Sequence, residues 1–261
     1  MPYTIVLFHA HPDDEVIVTG GTMARAKRDG HRVVLVAATR GELGEHAPDS
    51  LAPGEHLVDR RVAELHAAGE VLGVDRIAFL DYLDSGMAGE TTNDAPGSFW
   101  SADIDEAAAR LAAILDEEHA DVLTIYDENG NYGHPDHIQV HRVGVRAAEM
   151  AGTRRVYEAT VNRDALKRLM AAAPDQLEDA PADLETMGTP EELVTTTVDV
   201  REFVDRKRDA MIAHASQIPA DSFFLQMPLD VFEAAFGQEW FIRRDVPSST
   251  RETSLFDGLE I

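Results

Sequence analysis

The sequence predicts an α/β protein: a Rossmann-like, open and mostly parallel sheet with helices on both faces, plus a smaller C-terminal extension shaping the ligand site. Two observations predict it. Through residues 1–160, strand-length apolar runs alternate with segments of helical period, the order expected of successive β–α–β units. The residues able to do chemistry also recur at one kind of place, just after a strand, where open sheets of this class bind ligands.

Each element has a local reason. Tyr3–His9 is short, apolar and β-branched, so it reads as a buried strand. Asp14–Arg28 has helical spacing and stops before Gly30, a good helix terminator. Arg32–Ala38 is a second buried strand, and Thr39–His56, rich in Gly, Pro and acid, is a loop. Leu57–Leu72 places Val58, Val62, Leu65, Ala68 and Leu72 on one helical face, and Gly73 closes it. Arg76–Leu80 is a third strand, Asp81–Ala102 a long loop, and Ile104–Glu118 a helix striped by Ile104, Ala108, Leu111 and Leu115. Asp121–Tyr126 is a fourth strand, Asp127–His134 a loop, and Pro135–Met150 a helix with proline near its first turn. Arg155–Ala159 is a fifth strand. Residues 161–261 continue as the C-terminal part of the same domain. They hold an acidic, Pro-containing insertion at 173–192, a strand at Leu193–Val200, a helix at Glu202–His214 and an aromatic segment ending in EWFIRR. The last 15 residues are expected to fray.

Composition narrows the function. A chain of 261 residues can bury a full core, and with no cysteine it has no disulfide, thiolate metal site or thiol nucleophile. Any metal must be held by His, Asp or Glu. The formal charge of −25 argues against nucleic acid and anionic membrane surfaces as partners. No apolar run approaches ~20 residues, so no membrane span is expected. The start, MPYTIVLF, has no basic leader, so a cytoplasmic location is the expectation.

Three segments follow strands and carry the candidate chemistry: HAHPDDE, RGELGE and YDENGNYGHPDH. His11 and Asp14 lie three apart at a strand-to-helix turn, and an imidazole with a carboxylate suits Zn²⁺ and similar ions. Asp13 diverges from Asp14, so one can ligate while the other faces a metal-activated water; either could instead cap the helix. Glu15 has a capping or a catalytic role open to it, and His9 reads as strand packing. In the second segment His134 and His137 are three apart, and His137 and His141 share a helix face, so either pair would supply the missing ligand. Asp136 can accept from a ring N–H and fix its orientation. A dinucleotide-binding module fits the strand order but not the acids at 13–15, which stand where a glycine-rich turn would be needed.

AHPDDE, R-x-x-E-L in RRVAEL, D-S-G-M, and GHPDH after YDENGNY together resemble the PIG-L/LmbE-like zinc N-deacetylases, most of all their mycothiol-related branch. The likeness runs in order through residues 5–150 and is looser beyond, mainly at HASQI and the aromatic segment. It implies a zinc ion, with Fe²⁺ also suited, held by His11, Asp14 and His137. It implies Asp13 as general base, His134 as electrostatic stabiliser or acid, and Asp136 as the partner orienting His134. It places Tyr132 over the developing oxyanion, and Arg61, Asp84 and Glu42 against a sugar or its aglycone. The implied reaction is removal of an acetyl group from an N-acetylglucosamine-type amide such as a GlcNAc-inositol glycoside. A zinc amidase on another acyl-amino sugar or mycothiol-type conjugate is the alternative, and a metal-binding interaction module the non-enzymatic one. The amidase branch carries a lysine shortly after its HPDDE, where this chain has Val16-Ile17-Val18-Thr19. Homo-oligomerisation is left open.

Overall fold

A computed structural model describes residues 2–172 and 187–259. Seven strands form one sheet in the order β3-β2-β1-β4-β5-β7-β6. The first five are β1 (Thr4–His9), β2 (Arg32–Ala37), β3 (Arg76–Phe79), β4 (Val122–Tyr126) and β5 (Arg155–Thr160), and all run parallel. β6 (Thr196–Asp199) and β7 (Gln238–Arg243) extend the sheet antiparallel, with Tyr157 opposite Arg243 and Thr196 opposite Phe241.

The strands are nearly continuous in apolar residues because both faces are covered. Along β1, Ile5 and Leu7 enter one core with Leu35, Met23 and Leu65, while Val6 and Phe8 enter another with Leu111, Val140 and Val143. The first core lies under α2 (Gly20–Arg28), α3 (Leu57–Leu72) and α8 (Val204–Ala213); the second lies under α4 (Ile104–Glu117) and α6 (Pro135–Ala151). β1 sits between β2 and β4, so successive crossovers leave in opposite directions there. That is the switch point at which such sheets open a crevice beyond their carboxyl ends. Both His-Pro-Asp turns emerge at it.

Several expectations need correction. The helix expected over Asp14–Arg28 is two, α1 (Asp14–Val18) and α2, broken at Thr19. The Thr19 side chain meets His9 Nε2 at 2.9 Å, and the Gly21 and Thr22 N–H groups donate to Glu239 at 2.8 and 2.7 Å, so a distant carboxylate caps the second helix. The strand expected over Leu193–Val200 is only Thr196–Asp199, because a single helical turn occupies Glu191–Leu193. The aromatic segment ends in a strand, β7, preceded by two short helices, α9 (Phe223–Gln226) and α10 (Leu229–Phe236). A helix at Arg163–Ala172 (α7) and one turn at Gly130–Gly133 (α5) were not anticipated. The C-terminus does not fray through residue 259: Leu255 and Leu259 are buried, and Glu252 bridges to Thr196. Residues 173–186 of the acidic insertion lie outside the described residues. Among the described residues no helix is long and apolar enough to cross a membrane.

Candidate metal centre and active site

The turn after β1 is built on an unusual backbone. Asp13 has φ 111° and ψ −30°, a conformation costing a non-glycine residue about 1–3 kcal/mol. The turn brings Asp14 back over the strand, where its Oδ2 accepts the His11 N–H at 2.8 Å. Asp14 is therefore aimed at the crevice rather than along its helix.

The turn after β4 is equally constrained. Gly130 and Asn131 both have positive φ, 62° and 63°. A Cβ at Gly130 would come within 2.7 Å of the His137 Cβ, so only glycine lets the loop close onto α6. Asn131 is buried, and its amide nitrogen faces Ala159 O and the Asp127 carboxylate at 3.2 Å each. His134 caps α6 by accepting the Asp136 N–H on Nδ1 at 3.1 Å. His137 follows, its ring stacked on Tyr126 with centroids 4.5 Å apart.

These turns converge on one point. Asp14 Oδ2 lies 3.3 Å from His11 Nδ1, and Asp14 Oδ1 lies 3.2 Å from His137 Nε2. Tetrahedral zinc with bonds of about 2.0–2.2 Å separates its ligand atoms by about 3.4 Å, so each Asp14–imidazole spacing suits the ion. A second observation agrees: His137 is 2% exposed, yet neither ring nitrogen makes a hydrogen bond among the described residues. Buried polar atoms without partners are rare, and a metal would satisfy one of these. Two sets have donor atoms within 4.8 Å of one another, His11 with His134 and His137, and His11 with Asp84 and Asp136; Asp14 adjoins both His11 and His137. Burial opposes charge on His11, but the Asp136, Asp14 and Asp84 carboxylates outweigh it and draw positive charge to the ring. The same field favours a divalent cation. Burial likewise opposes ionisation of Asp14, and His137 and His11 overcome it, holding the carboxyl well below its usual range.

The remaining predicted residues divide into two groups. Asp13, Asp84, Tyr132, His134 and Arg61 line the same cavity as the three donors. Burial, opposed chiefly by Arg61, pushes Asp13 up to about 6. Burial, with the His11 and His137 rings beside it, pushes His134 down to about 4. A neutral His134 that accepts on Nδ1 must carry its proton on Nε2 and can donate from there. The half-exposed Tyr132 ring leans edge-on to His137, centroids 4.9 Å apart. Asp84 Oδ1 accepts the Gly86 N–H at 2.9 Å and lies 3.5 Å from His11 Nε2.

Other side chains are engaged differently from expectation. The Asp136 carboxylate is fully buried and meets His11 Nε2 at 3.1 Å and Ser85 N at 2.9 Å; it is the Asp136 N–H, not the carboxylate, that meets His134. Glu42 does not line the cavity, because its carboxylate accepts the Asp84 N–H at 3.1 Å. Arg61 is 3% exposed and spends Nη1 on Gly41 O at 2.8 Å and Nη2 on Pro12 O at 2.5 Å, while Nη2 also lies 3.3 Å from Asp13 Oδ1. His141 turns away, with Nδ1 3.0 Å from Tyr126 O, whereas His134 and His137 both line the cavity. Sequence reading missed Tyr126, Ser85 and His214; only HASQI, the loose match around His214, hinted at the last.

The cavity measures about 850 Å³. Its ionisable floor is the donor cluster, and its outer wall, from the C-terminal third, includes Phe223, Phe224, Phe236 and Trp240. A family model described as PIG-L, GlcNAc-PI de-N-acetylase, matches residues 6–148, which contain both turns. The chain belongs to this family. Membership makes it an N-deacetylase by class, a hydrolase of amide bonds. Among similar PIG-L proteins, the 1D-myo-inositol 2-acetamido-2-deoxy-alpha-D-glucopyranoside deacetylase of Acidothermus cellulolyticus is 40% identical over 282 residues, covering 100% of this chain and 97% of its own. The protein of the same description from Thermobifida fusca is 41% identical over 289 residues, covering 97% and 98%. The fold also matches the solved N,N'-diacetylchitobiose deacetylase of Pyrococcus horikoshii, with a TM-score of 0.62 and 19% identity over 98% of this chain and 86% of that one.

Proposed function

We propose that this PIG-L enzyme removes the acetyl group from the N-acetylglucosamine unit of an inositol glycoside, with zinc held by His11, Asp14 and His137. The observation that carries the chemistry is the pair of Asp14 oxygens facing two imidazoles, with Asp13 beside them at the cavity floor. The names of the full-length relatives support the substrate.

Bound there, the ion would supply Lewis acidity toward the amide carbonyl and a water. The Asp13 carboxylate takes a proton from the water that attacks the amide carbon and returns it to the leaving nitrogen as the C–N bond breaks, and such help is typically worth ~10²–10⁴-fold. The His134 Nε2–H and the Tyr132 hydroxyl donate toward the carbonyl oxygen as it gains charge, each worth about 10²–10³-fold at most. Asp136 and Asp84 hold the Nε2 of His11 and orient its ring, which would leave Nδ1, beside Asp14, for the ion. Arg61 keeps the Asp13 turn against the Gly41 loop. The bond cleaved is the amide C–N, and the products are acetate and a primary amine. The aromatic outer wall favours a second reading, an amidase acting on a conjugate with a bulkier apolar part. Purified protein should release amine from N-acetylglucosaminyl-inositol much faster than from free N-acetylglucosamine. Equal slow rates on both, with faster cleavage of an apolar conjugate, would replace the first reading by the second.

A further inference from the structure

The backbone of Asp13 is held by a buried pair. The Asp13 N–H donates to Glu15 Oε2 at 2.8 Å, and the other oxygen, Oε1, lies 2.6 Å from His214 Nε2. Both Glu15 and His214 are 0% exposed. A buried carboxylate is costly unless it is paired, so Glu15 can occupy this place only with a donor such as His214 beside it. His214 is itself fixed in place. It ends α8, its N–H donates to Met211 O at 3.1 Å, and its own carbonyl accepts from Ile218 N at 2.7 Å. Two residues on, Ser216 binds the Glu64 carboxylate of α3 through N at 2.9 Å and Oγ at 2.6 Å. Hydrogen bonds thus tie Asp13 to His214 at the end of α8, and the backbone from His214 to Ser216 carries the link on to α3. At its other end this link meets a residue held at φ 111°, a conformation that costs a non-glycine residue about 1–3 kcal/mol.

We infer that His214, acting through Glu15, is a positioning residue that sets the Asp13 carboxylate for proton transfer without holding the metal. This rests on the deacetylase reading for its catalytic consequence. With Arg61 Nη2 3.3 Å from Oδ1 and Glu15 on the N–H, Asp13 is held from two sides, leaving Oδ2 as the oxygen without an ion-pair partner among the described residues. Loss of His214 frees Glu15 and lets the turn relax. A shift of about 1 Å in a reacting group can cost on the order of 10² in rate.

The test has one arm that needs no substrate. In His214→Ala, hydrogen exchange at the Asp13 amide should accelerate at least about 10-fold while amides of β1 stay protected. Zinc content should remain that of the unsubstituted protein, and kcat on N-acetylglucosaminyl-inositol should fall about 10–100-fold with KM unchanged. His214→Gln, whose amide can still donate to Glu15, should recover most of that loss. If His214→Ala does not fold, Glu15→Gln carries the same expectations, since its amide has one oxygen for two donors. Unchanged Asp13 exchange, unchanged kcat per bound zinc, loss of zinc, or a Gln variant as impaired as Ala would each overturn the inference. Inactivity of the unsubstituted protein would instead overturn the substrate reading and leave the exchange arm to decide this one.

Discussion

At the scale of single residues, chemistry divides among neighbours by direction. Asp13 and Asp14 are adjacent in sequence, yet the first sits at φ 111° and faces the cavity, while the second has both oxygens against imidazoles. The account therefore separates their losses. Asp13→Ala should keep its metal and lose about 10²–10⁴ in kcat. His137→Ala should lose the metal itself, read as zinc per chain by elemental analysis. Normal turnover in Asp13→Ala would remove it as the base. The residue types were legible in the sequence, because two His-Pro-Asp turns after strands have little structural reason to recur. Their partners were not. Nothing in the spacing of Arg61 or Glu42 says that one is spent on carbonyls of Pro12 and Gly41 and the other on the Asp84 N–H. Likewise, the i, i+4 spacing of His137 and His141 cannot reveal that one stacks on Tyr126 and the other faces its carbonyl.

Elements were legible where burial is two-sided and local. The five parallel strands are short apolar runs because helices cover both faces, and the helices between them carry single apolar stripes. The break at Thr19 left no trace in periodicity, since its cause is Glu239, 217 residues from Thr22. Glu239 also meets Lys207 at 2.7 Å, and both are nearly fully buried. Glu239→Ala strands that ammonium and uncaps α2, so it should destabilise by about 3–5 kcal/mol in urea unfolding. A loss under about 1 kcal/mol would show that the pair is incidental. A pH signature belongs to Glu118, just after α4, which binds Arg32 of β2 at 2.5 Å and Arg76 of β3 at 2.7 Å. Arg32, then Arg76, hold its carboxyl down to about 2 from an ordinary 4.5. A depressed carboxylate stabilises above its unfolded pKa, and that contribution fades as pH falls from 4.5 through about 2. The stability gap between the native chain and Glu118→Gln should be level from pH 6 to 8 at under about 1 kcal/mol, given the exposed arginines, and should close below pH 4.5. A gap that widens in acid would reverse the assignment.

Across the whole molecule, the sheet's switch point gathers turns from distant parts of the chain, and the C-terminal third walls the space above them. β7 and β6 extend the sheet beyond β5, and α10 and β7 place Phe236 and Trp240 over a floor set by His11, Asp14 and His137. The open parallel half was legible because each β–α–β unit is local in sequence. The wall was not, because a mixed aromatic segment such as EWFIRR gives no register until its partner Tyr157 is known. The formal charge of −25 argues against polyanionic partners but says nothing of this geometry. The most direct test of the account is amine release from N-acetylglucosaminyl-inositol by protein stripped with a chelator and then restored with zinc. The account predicts that release disappears with the metal and returns in proportion to zinc bound, up to one ion per chain. Release that persists in fully stripped protein would contradict it.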